Sequence, residues 1–140
     1  MSSVNKIKVF KLKTIKNPKG DVLRAFRETD KFAGKSAEIY FSWINRNKVK
    51  GWKLHKLMKM NFVVPVGLVK FVFFDGKYFK KIIIGEKNYS RIYVPNKLFF
   101  AFQNLSSQKS LIVNNASIIH EKKNETISKD LNEIVYKWKI

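Results

Sequence analysis

Apolar and polar residues alternate along most of the chain in short runs, which is the period that a half-buried β-strand produces. The clearest runs are residues 38–44, 49–55 and 79–85. Further runs that we interpret as strands are 7–10, 22–26, 61–67, 68–74, 91–95, 99–102 and 110–113. Turn residues such as Asn17-Pro18-Lys19-Gly20-Asp21 separate them. About ten short strands at this spacing predict an all-β sandwich or barrel.

Two places depart from the alternation. Gly67 separates two β-rich runs, and a glycine there favours a tight bend or a hairpin. Residues 121–129 are polar and predict a loop, after which Ser128 is predicted to cap a short helix over 128–133. No repeat or linker interrupts the pattern. We therefore predict one domain over residues 1–140 with its core at about 38–120.

The composition narrows the class of protein. Hydrophobic residues make up 45% of the chain, which is enough for a core and excludes a wholly disordered protein. There is no cysteine, so disulfides, thiolate metal sites and a cysteine nucleophile are excluded. With only two histidines, an all-histidine zinc site is excluded as well.

The charge favours an anionic partner. Lys and Arg number 29 against 10 Asp and Glu, giving a net charge of +19. Nucleic acid, an anionic membrane or a phosphorylated small molecule would suit it, although a genome rich in AT codons raises the Lys content by itself. No apolar run reaches the roughly 18 residues of a membrane span, and residues 1–8 lack a signal-peptide core. We expect a cytoplasmic protein.

Three segments and the end of the chain carry a family resemblance. They are residues 50–56 (KGWKLHK), 63–69 (VVPVGLV), 94–104 (VPNKLFFAFQN) and 135–138 (VYKW). In order and spacing they resemble the cupin superfamily, in the branch that contains dTDP-4-dehydrorhamnose 3,5-epimerases and dTDP-sugar 3,4-ketoisomerases. The resemblance spans about residues 38–138. It implies a double-stranded β-helix, or jelly-roll barrel, and a homodimer.

The metal-binding form of the cupin motif can be compared position by position. Three of its four ligand positions hold Lys53, Met60 and Phe100, and only His55 is kept. A transition-metal site needs about three or four nitrogen or oxygen ligands, which one histidine cannot supply. The resemblance therefore implies a cupin without a metal or other cofactor.

The resemblance also implies the chemistry, which is proton abstraction beside the 4-keto group of a nucleotide sugar. It assigns His55 as the base and Tyr40 as a candidate acid. Positions 53 and 55 share one face of a strand, so Lys53 could stabilise an enolate or hold a phosphate while lowering the pKa of His55. The family base is oriented by an Asp that this sequence does not identify, since Asp75 belongs to a predicted turn. His120 is predicted to be a surface residue.

Five further residues are predicted to bind the substrate. Lys56, Arg46 and Arg91 are the cations expected to hold a diphosphate, the two Arg bidentately. Trp52 and Tyr136 belong to an aromatic surplus that suits stacking on a thymine base or a dimer interface.

Three functions are compatible with the sequence. The preferred one is a metal-independent epimerase or ketoisomerase that acts on a dTDP-4-keto-6-deoxyhexose in surface-polysaccharide biosynthesis. The second is a non-catalytic cupin that binds a sugar nucleotide. The third is a basic nucleic-acid-binding protein, which the scatter of Lys through the whole sequence disfavours. The expected partners are thus a nucleotide sugar and a second copy of the chain, with no membrane span.

Overall fold

The computed structural model describes residues 1–120 and 124–138. Twelve strands make up nearly half of this part of the chain: β1 (Lys8–Lys11), β2 (Thr14–Ile15), β3 (Val22–Leu23), β4 (Glu38–Ile44), β5 (Val49–His55), β6 (Met60–Val66), β7 (Leu68–Phe74), β8 (Phe79–Gly85), β9 (Ser90–Val94), β10 (Phe99–Asn104), β11 (Ser110–Ala116) and β12 (Thr126–Ser128). Short 3-10 helices cover Val4–Lys6 and Leu131–Glu133. Within the described residues, no helix has the length and apolarity needed to cross a membrane.

Two five-stranded antiparallel sheets form the barrel. The first has the order β1-β9-β6-β11-β4, and the second has the order β12-β5-β10-β7-β8. Strands that follow one another in the chain often lie in opposite sheets, as in a jelly roll. The predicted all-β cupin fold is therefore confirmed.

The main core lies between the two sheets. Phe62 of the first sheet packs against Phe71 and Phe100 of the second, with ring centroids 5.1 and 6.0 Å apart. Aliphatic side chains from both sheets, including Ile92 and Ile84, complete this core. Their burial explains the alternation along the strands, because every second residue points into the barrel.

Gly67 marks a change of sheet and not a hairpin. It joins β6 in the first sheet to β7 in the second, with φ +90°. A Cβ atom at this position would lie 2.0 Å from Ser110 Oγ. Glycine is thus required both by the backbone conformation and by the space. Of the two predicted alternatives, the tight bend is correct.

The chain after residue 120 differs from its prediction. Residues 121–123 of the predicted loop lie outside the described residues, and Thr126–Ser128 form strand β12 beside β5. Ser128 belongs to this strand, so its predicted role as a helix cap is wrong. Only a 3-10 turn follows, where the backbone N–H of Asp130 donates to the Glu133 carboxylate at 2.7 Å.

The N-terminal part is also less regular than predicted. Strand β3 covers only Val22–Leu23 of the predicted run 22–26, and it pairs with β2, a strand that was not predicted. Leu23 and Phe26 pack against Val63 on the outer face of the first sheet. The segment is therefore held by side-chain burial more than by strand pairing.

An aromatic cluster covers the outer face of the second sheet. It consists of Trp52, Phe79, Tyr136 and Trp138, and we call it the outer aromatic cluster. Trp52 is fully buried there, with its ring centroid 5.8 Å from that of Trp138. The C-terminal segment thus fixes β5 from outside the barrel.

Candidate active site

A cavity of about 790 Å³ lies inside the barrel. Strands β4, β5, β10 and β11 supply most of its wall. The polar side chains on that wall are Glu38, Tyr40, Ser42, Lys50, Lys53, His55, Asn114 and His120. A concave cavity of this size in which polar side chains converge among apolar ones is typical of a small-molecule site.

Strand β5 delivers two of the predicted catalytic residues to this cavity. Lys53 and His55 both line it, whereas Trp52 and Leu54, which alternate with them, are buried in the packing on the other side. The alternation of a strand explains the arrangement, as the sequence predicts. Lys53 pairs with Phe100 of the neighbouring strand β10, and both residues line the cavity.

His55 is held by a carboxylate that the sequence does not identify. Its Nδ1–H donates to Oε1 of Glu125 at 2.7 Å, and the side chains are only 2% and 5% exposed. The other oxygen, Oε2, accepts the backbone N–H groups of Leu57 and Met58 at 3.0 and 3.1 Å. Because Nδ1 carries the proton in this pair, the lone pair is on Nε2. Within residues 1–120 and 124–138, Nε2 has no hydrogen-bond partner.

The electrostatics keep this pair ready to accept a proton. Burial lowers the pKa of His55 below its usual value of 6.5, against the opposing effect of Glu125, and His120 and Lys53 lower it a little further. Burial would raise the pKa of Glu125, but the hydrogen bonds from Leu57, His55 and Met58 bring it below its usual value. At neutral pH the imidazole is therefore neutral and the carboxylate charged, which is the state that a general base requires.

Tyr40 approaches the same part of the cavity from β4. Its hydroxyl oxygen accepts a hydrogen bond from Asn114 Nδ2 at 2.8 Å, and the hydroxyl contacts Met58 Sδ at 3.8 Å. Burial raises the pKa of Tyr40, so the phenol stays protonated at neutral pH. A protonated hydroxyl beside a base can donate a hydrogen bond to a ligand oxygen.

His120 is exposed, as predicted, but it also belongs to the cavity wall. Its ring centroid lies 5.0 Å from Tyr40 and 5.8 Å from His55. Its backbone N–H donates to Glu38 Oε1 at 2.8 Å, which fixes the residue at the edge of the first sheet. The prediction of a plain surface residue is therefore incomplete.

The positions that bind the metal in metal-containing cupins carry other side chains in this protein, as the sequence predicts. Lys53, Met60 and Phe100 occupy three of them, and Met60 and Phe100 are buried in apolar surroundings. Among the described residues, no group of three His, Cys, Asp or Glu side chains is close enough to hold a metal ion. The expected absence of a metal stays a prediction.

The chain matches a known protein family. The family model "FdtA: WxcM-like, C-terminal" matches residues 5–133. The chain belongs to the FdtA family. The predicted resemblance to the cupin branch of dTDP-sugar epimerases and ketoisomerases is thus confirmed. No curated protein sequence matches the chain.

Solved structures show how widely this fold is shared. A dTDP sugar isomerase from Desulfovibrio desulfuricans G20 is 28% identical, with 96% of this chain and 92% of that chain covered and a TM-score of 0.90. QdtA, a sugar 3,4-ketoisomerase from Thermoanaerobacterium thermosaccharolyticum in complex with TDP, has 16% identity, 89% of each chain covered and a TM-score of 0.75. A dTDP-4-dehydrorhamnose 3,5-epimerase from Sulfolobus tokodaii has 19% identity, 99% and 85% covered, and a TM-score of 0.82.

Within the described part of this FdtA-family chain, the five predicted substrate-binding residues lie outside the cavity. Trp52 and Tyr136 pack in the outer aromatic cluster, because their strand and tail face away from the barrel interior. Lys56 is exposed just after β5, and Arg46 is exposed in the turn between β4 and β5. Their predicted contacts with a ligand in this cavity do not follow from their placement.

Arg91 lies on the outer face of the first sheet. Its guanidinium donates to Asn61 Oδ1 and, at 2.7 Å, to the carbonyl oxygen of Lys31, and it stacks 4.5 Å from the ring centroid of Phe10. Its neighbours Ile92 and Val94 point into the core, so strand alternation directs Arg91 outward. Arg91 therefore anchors the N-terminal segment instead of lining the main cavity.

Glu125 is the residue of this candidate site that the sequence does not identify. It lies 70 residues from His55 in the chain, within the polar stretch that predicts a loop. Asp75 is the carboxylate that the sequence places in a turn. It caps the turn before β8 by accepting hydrogen bonds from the backbone N–H groups of Lys77 and Tyr78. Its predicted turn role is thus correct.

Proposed function

We propose that this FdtA-family protein is a metal-independent isomerase of a nucleotide-linked 4-keto-6-deoxyhexose. The observation that carries the proposal is the buried His55–Glu125 pair, whose free Nε2 belongs to a residue that lines the barrel cavity. The names of the structural neighbours, which include a dTDP sugar isomerase, a sugar 3,4-ketoisomerase and a 3,5-epimerase, support the same class of substrate.

The mechanism follows from the charges in the cavity. His55 Nε2 accepts the proton from the carbon next to the ketone, and Glu125 stabilises the imidazolium that forms. The electron pair of the broken C–H bond moves to the ketone oxygen and gives an enolate. The Lys53 ammonium and the Tyr40 hydroxyl are the groups that would stabilise this negative charge. Return of a proton to the opposite face of the same carbon gives an epimer, and its return to the neighbouring carbon, with a proton passing between the two oxygens, gives a ketoisomer.

The surroundings of the reaction are part of the proposal. The cationic side chains on the cavity wall, Lys50 and Lys53, suit a nucleoside diphosphate, and dTDP is the nucleotide that we expect. The setting that we propose is cytoplasmic synthesis of a surface polysaccharide. This setting follows from the sequence resemblance.

A homodimer is a further part of the proposal. Ile39, Phe41 and Trp43 are 51%, 66% and 44% exposed and alternate along β4, the edge strand of the first sheet. They form one apolar stripe on an edge strand, which is a surface that a second copy can cover. Phe41→Glu is expected to convert a dimer into a monomer in sedimentation analysis. A wild-type monomer would contradict the dimer.

The isomerase proposal is tested by proton exchange. Wild-type protein is incubated with dTDP-4-keto-6-deoxyglucose in heavy water, and deuterium incorporation next to the ketone is followed by NMR. His55→Asn is expected to lower the exchange rate by at least about 100-fold, and an exposed control, Lys81→Gln, is expected to leave it unchanged. Equal exchange in His55→Asn would overturn the assignment of the base. Binding without exchange in the wild type would overturn catalysis and favour the non-catalytic cupin.

A further inference from the structure

His120 lies where a second proton-transferring group would be needed. Its ring contacts both the proposed base and the proposed hydrogen-bond donor, with centroids 5.8 Å from His55 and 5.0 Å from Tyr40. Within the described residues, its ring nitrogens make no hydrogen bond. Its backbone N–H donates to Glu38, its ring packs against Tyr40 and His55, and the residue lines the cavity.

Moving a ketone to the neighbouring carbon requires two proton transfers that one base does not provide. One proton moves between the two carbons, and another moves between the two oxygens. A base next to the carbons serves the first transfer, and a group that both gives and takes a proton near neutral pH must serve the second. Imidazole is the side chain best suited to such a role.

The other polar groups near His55 suit this second role less well. Burial raises the pKa of Tyr40, which disfavours the phenolate that a shuttle would form, and its oxygen already accepts from Asn114. Glu125 is occupied by His55 and two backbone N–H groups. Lys53 suits stabilisation of charge, since an ammonium group seldom gives up its proton at neutral pH.

We infer that His120 is a second catalytic residue, which moves a proton between the C4 and C3 oxygens while His55 moves one between the C3 and C4 carbons. This inference rests on the proposed function. It specifies the reaction as a 3,4-ketoisomerisation, because epimerisation leaves the ketone in place and needs no transfer between oxygens.

The two histidines balance the reaction. His55 takes the C3 proton while His120, as imidazolium, gives a proton to the C4 oxygen; the C4=O π bond breaks and a C3=C4 bond forms. His120 then takes the proton of the C3 hydroxyl as the C3=O bond forms, and His55 returns its proton to C4. Both residues end in their starting state, and no other reactant is consumed.

The test separates the two transfers. His120→Gln and His120→Ala are incubated with dTDP-4-keto-6-deoxyglucose in heavy water, and C3 deuteration of recovered substrate is measured beside formation of the 3-keto product. We expect product formation to fall about 10²–10⁴-fold in His120→Gln while C3 deuteration falls less than about 10-fold. Added imidazole is expected to restore part of the product formation by His120→Ala. His55→Asn is expected to lose both signals.

Each other outcome overturns a different statement. Product formation by His120→Gln at the wild-type rate overturns the role of His120. An equal loss of product formation and C3 deuteration also overturns it, provided that the variant melts at the wild-type temperature and imidazole does not restore product formation. If the wild-type protein converts the substrate to a C3 or C5 epimer, the inference about His120 is wrong and the proposed function still holds. Neither exchange nor product in the wild type overturns the proposed function itself.

Discussion

The two faces of strand β5 differ completely, although their residues alternate along one seven-residue strand. On the inner face, Lys53 and His55 are polar and line a cavity. On the outer face, Trp52 and Leu54 are buried in the packing that includes the outer aromatic cluster. The outer face stabilises the strand, and the inner face can therefore carry groups that contribute little to packing.

The inner face of β5 includes a buried polar side chain with a buried hydrogen-bond partner. A buried imidazole and a buried carboxylate each cost free energy unless they are hydrogen-bonded. His55 and Glu125 satisfy each other, and two backbone N–H groups satisfy the second carboxylate oxygen. The polar pair is thus compatible with a stable barrel while Nε2 stays free for chemistry.

Removing the outer-face anchor is expected to have the largest effect. Trp52→Ala should lower the free energy of unfolding by about 3–5 kcal/mol, because it empties a fully buried volume beside Trp138. Tyr78→Ala, at an exposed aromatic residue, should change it by less than about 0.5 kcal/mol. Urea denaturation of both variants measures the difference. A loss below 1 kcal/mol for Trp52→Ala would contradict the division of roles between the faces.

Changing the orienting carboxylate tests the inner face. Glu125→Gln should lower kcat/KM by about 10²–10³-fold, because an amide cannot accept from both His55 Nδ1–H and the backbone N–H groups. If the amide NH2 group faced His55, Nδ1 would become the acceptor and Nε2 would carry the proton. Glu86→Gln, at a carboxylate that accepts the Gly67 N–H in a distant turn, is the matched control and should keep full activity. Equal rates in the two variants would refute the role of Glu125.

The second inner-face residue should have a smaller effect. Lys53→Met is expected to lower kcat by about 10–100-fold, since the stem volume is kept and the charge that stabilises the enolate is lost. Lys81→Met on exposed β8 is the charge-matched control. Steady-state kinetics distinguish stabilisation of the enolate from binding of the phosphates. A higher KM at unchanged kcat would show that Lys53 binds the phosphates and would contradict its role in stabilising the enolate.

The pH dependence should be the mildest of these effects. The rate of C3 proton exchange, the step that depends mainly on His55, should rise with pH through the lowered pKa of His55 and then level off, since the neutral imidazole is the base. Stability should follow the same direction: the contribution of His55 is complete above its unfolded pKa, near 6.5, and is lost as the pH falls through the lower folded value. Melting temperatures and C3 deuteration rates between pH 5 and 8 measure both. A C3 exchange rate that falls with rising pH across this range would be inconsistent with a neutral base.

Strand alternation carried much of the prediction. The bounds of β4 and β5 agree with the predicted runs 38–44 and 49–55, because apolar alternation reflects one face in the core. The same alternation predicts that the Trp52 side chain points to the other face of β5 from Lys53 and His55. Applied to β9, it also separates Arg91 from the core-facing Ile92 and Val94. Charge and aromatic character predict substrate binding by Trp52 and Arg91, whereas parity points both side chains away from the cavity, and their contact with a substrate stays a prediction.

Long-range pairing accounts for what the sequence could not provide. Glu125 belongs to a polar segment without periodicity, and its contact with His55 depends on the pairing of β12 with β5. His120 reaches the cavity because its backbone is tied to Glu38, 82 residues away in the chain. Neither contact has a local signal, since both arise when the jelly roll brings distant segments together.

The central claim is that Glu125 orients His55 through Nδ1 while burial keeps the imidazole neutral, which leaves Nε2 free to act as the base. Nitrogen-15 NMR of histidine-labelled protein at neutral pH measures it directly, with His55→Asn identifying the resonances. The account predicts a protonated Nδ1, an unprotonated Nε2 and a titration midpoint below 6.5. A proton on Nε2, or an imidazolium at neutral pH, would contradict it.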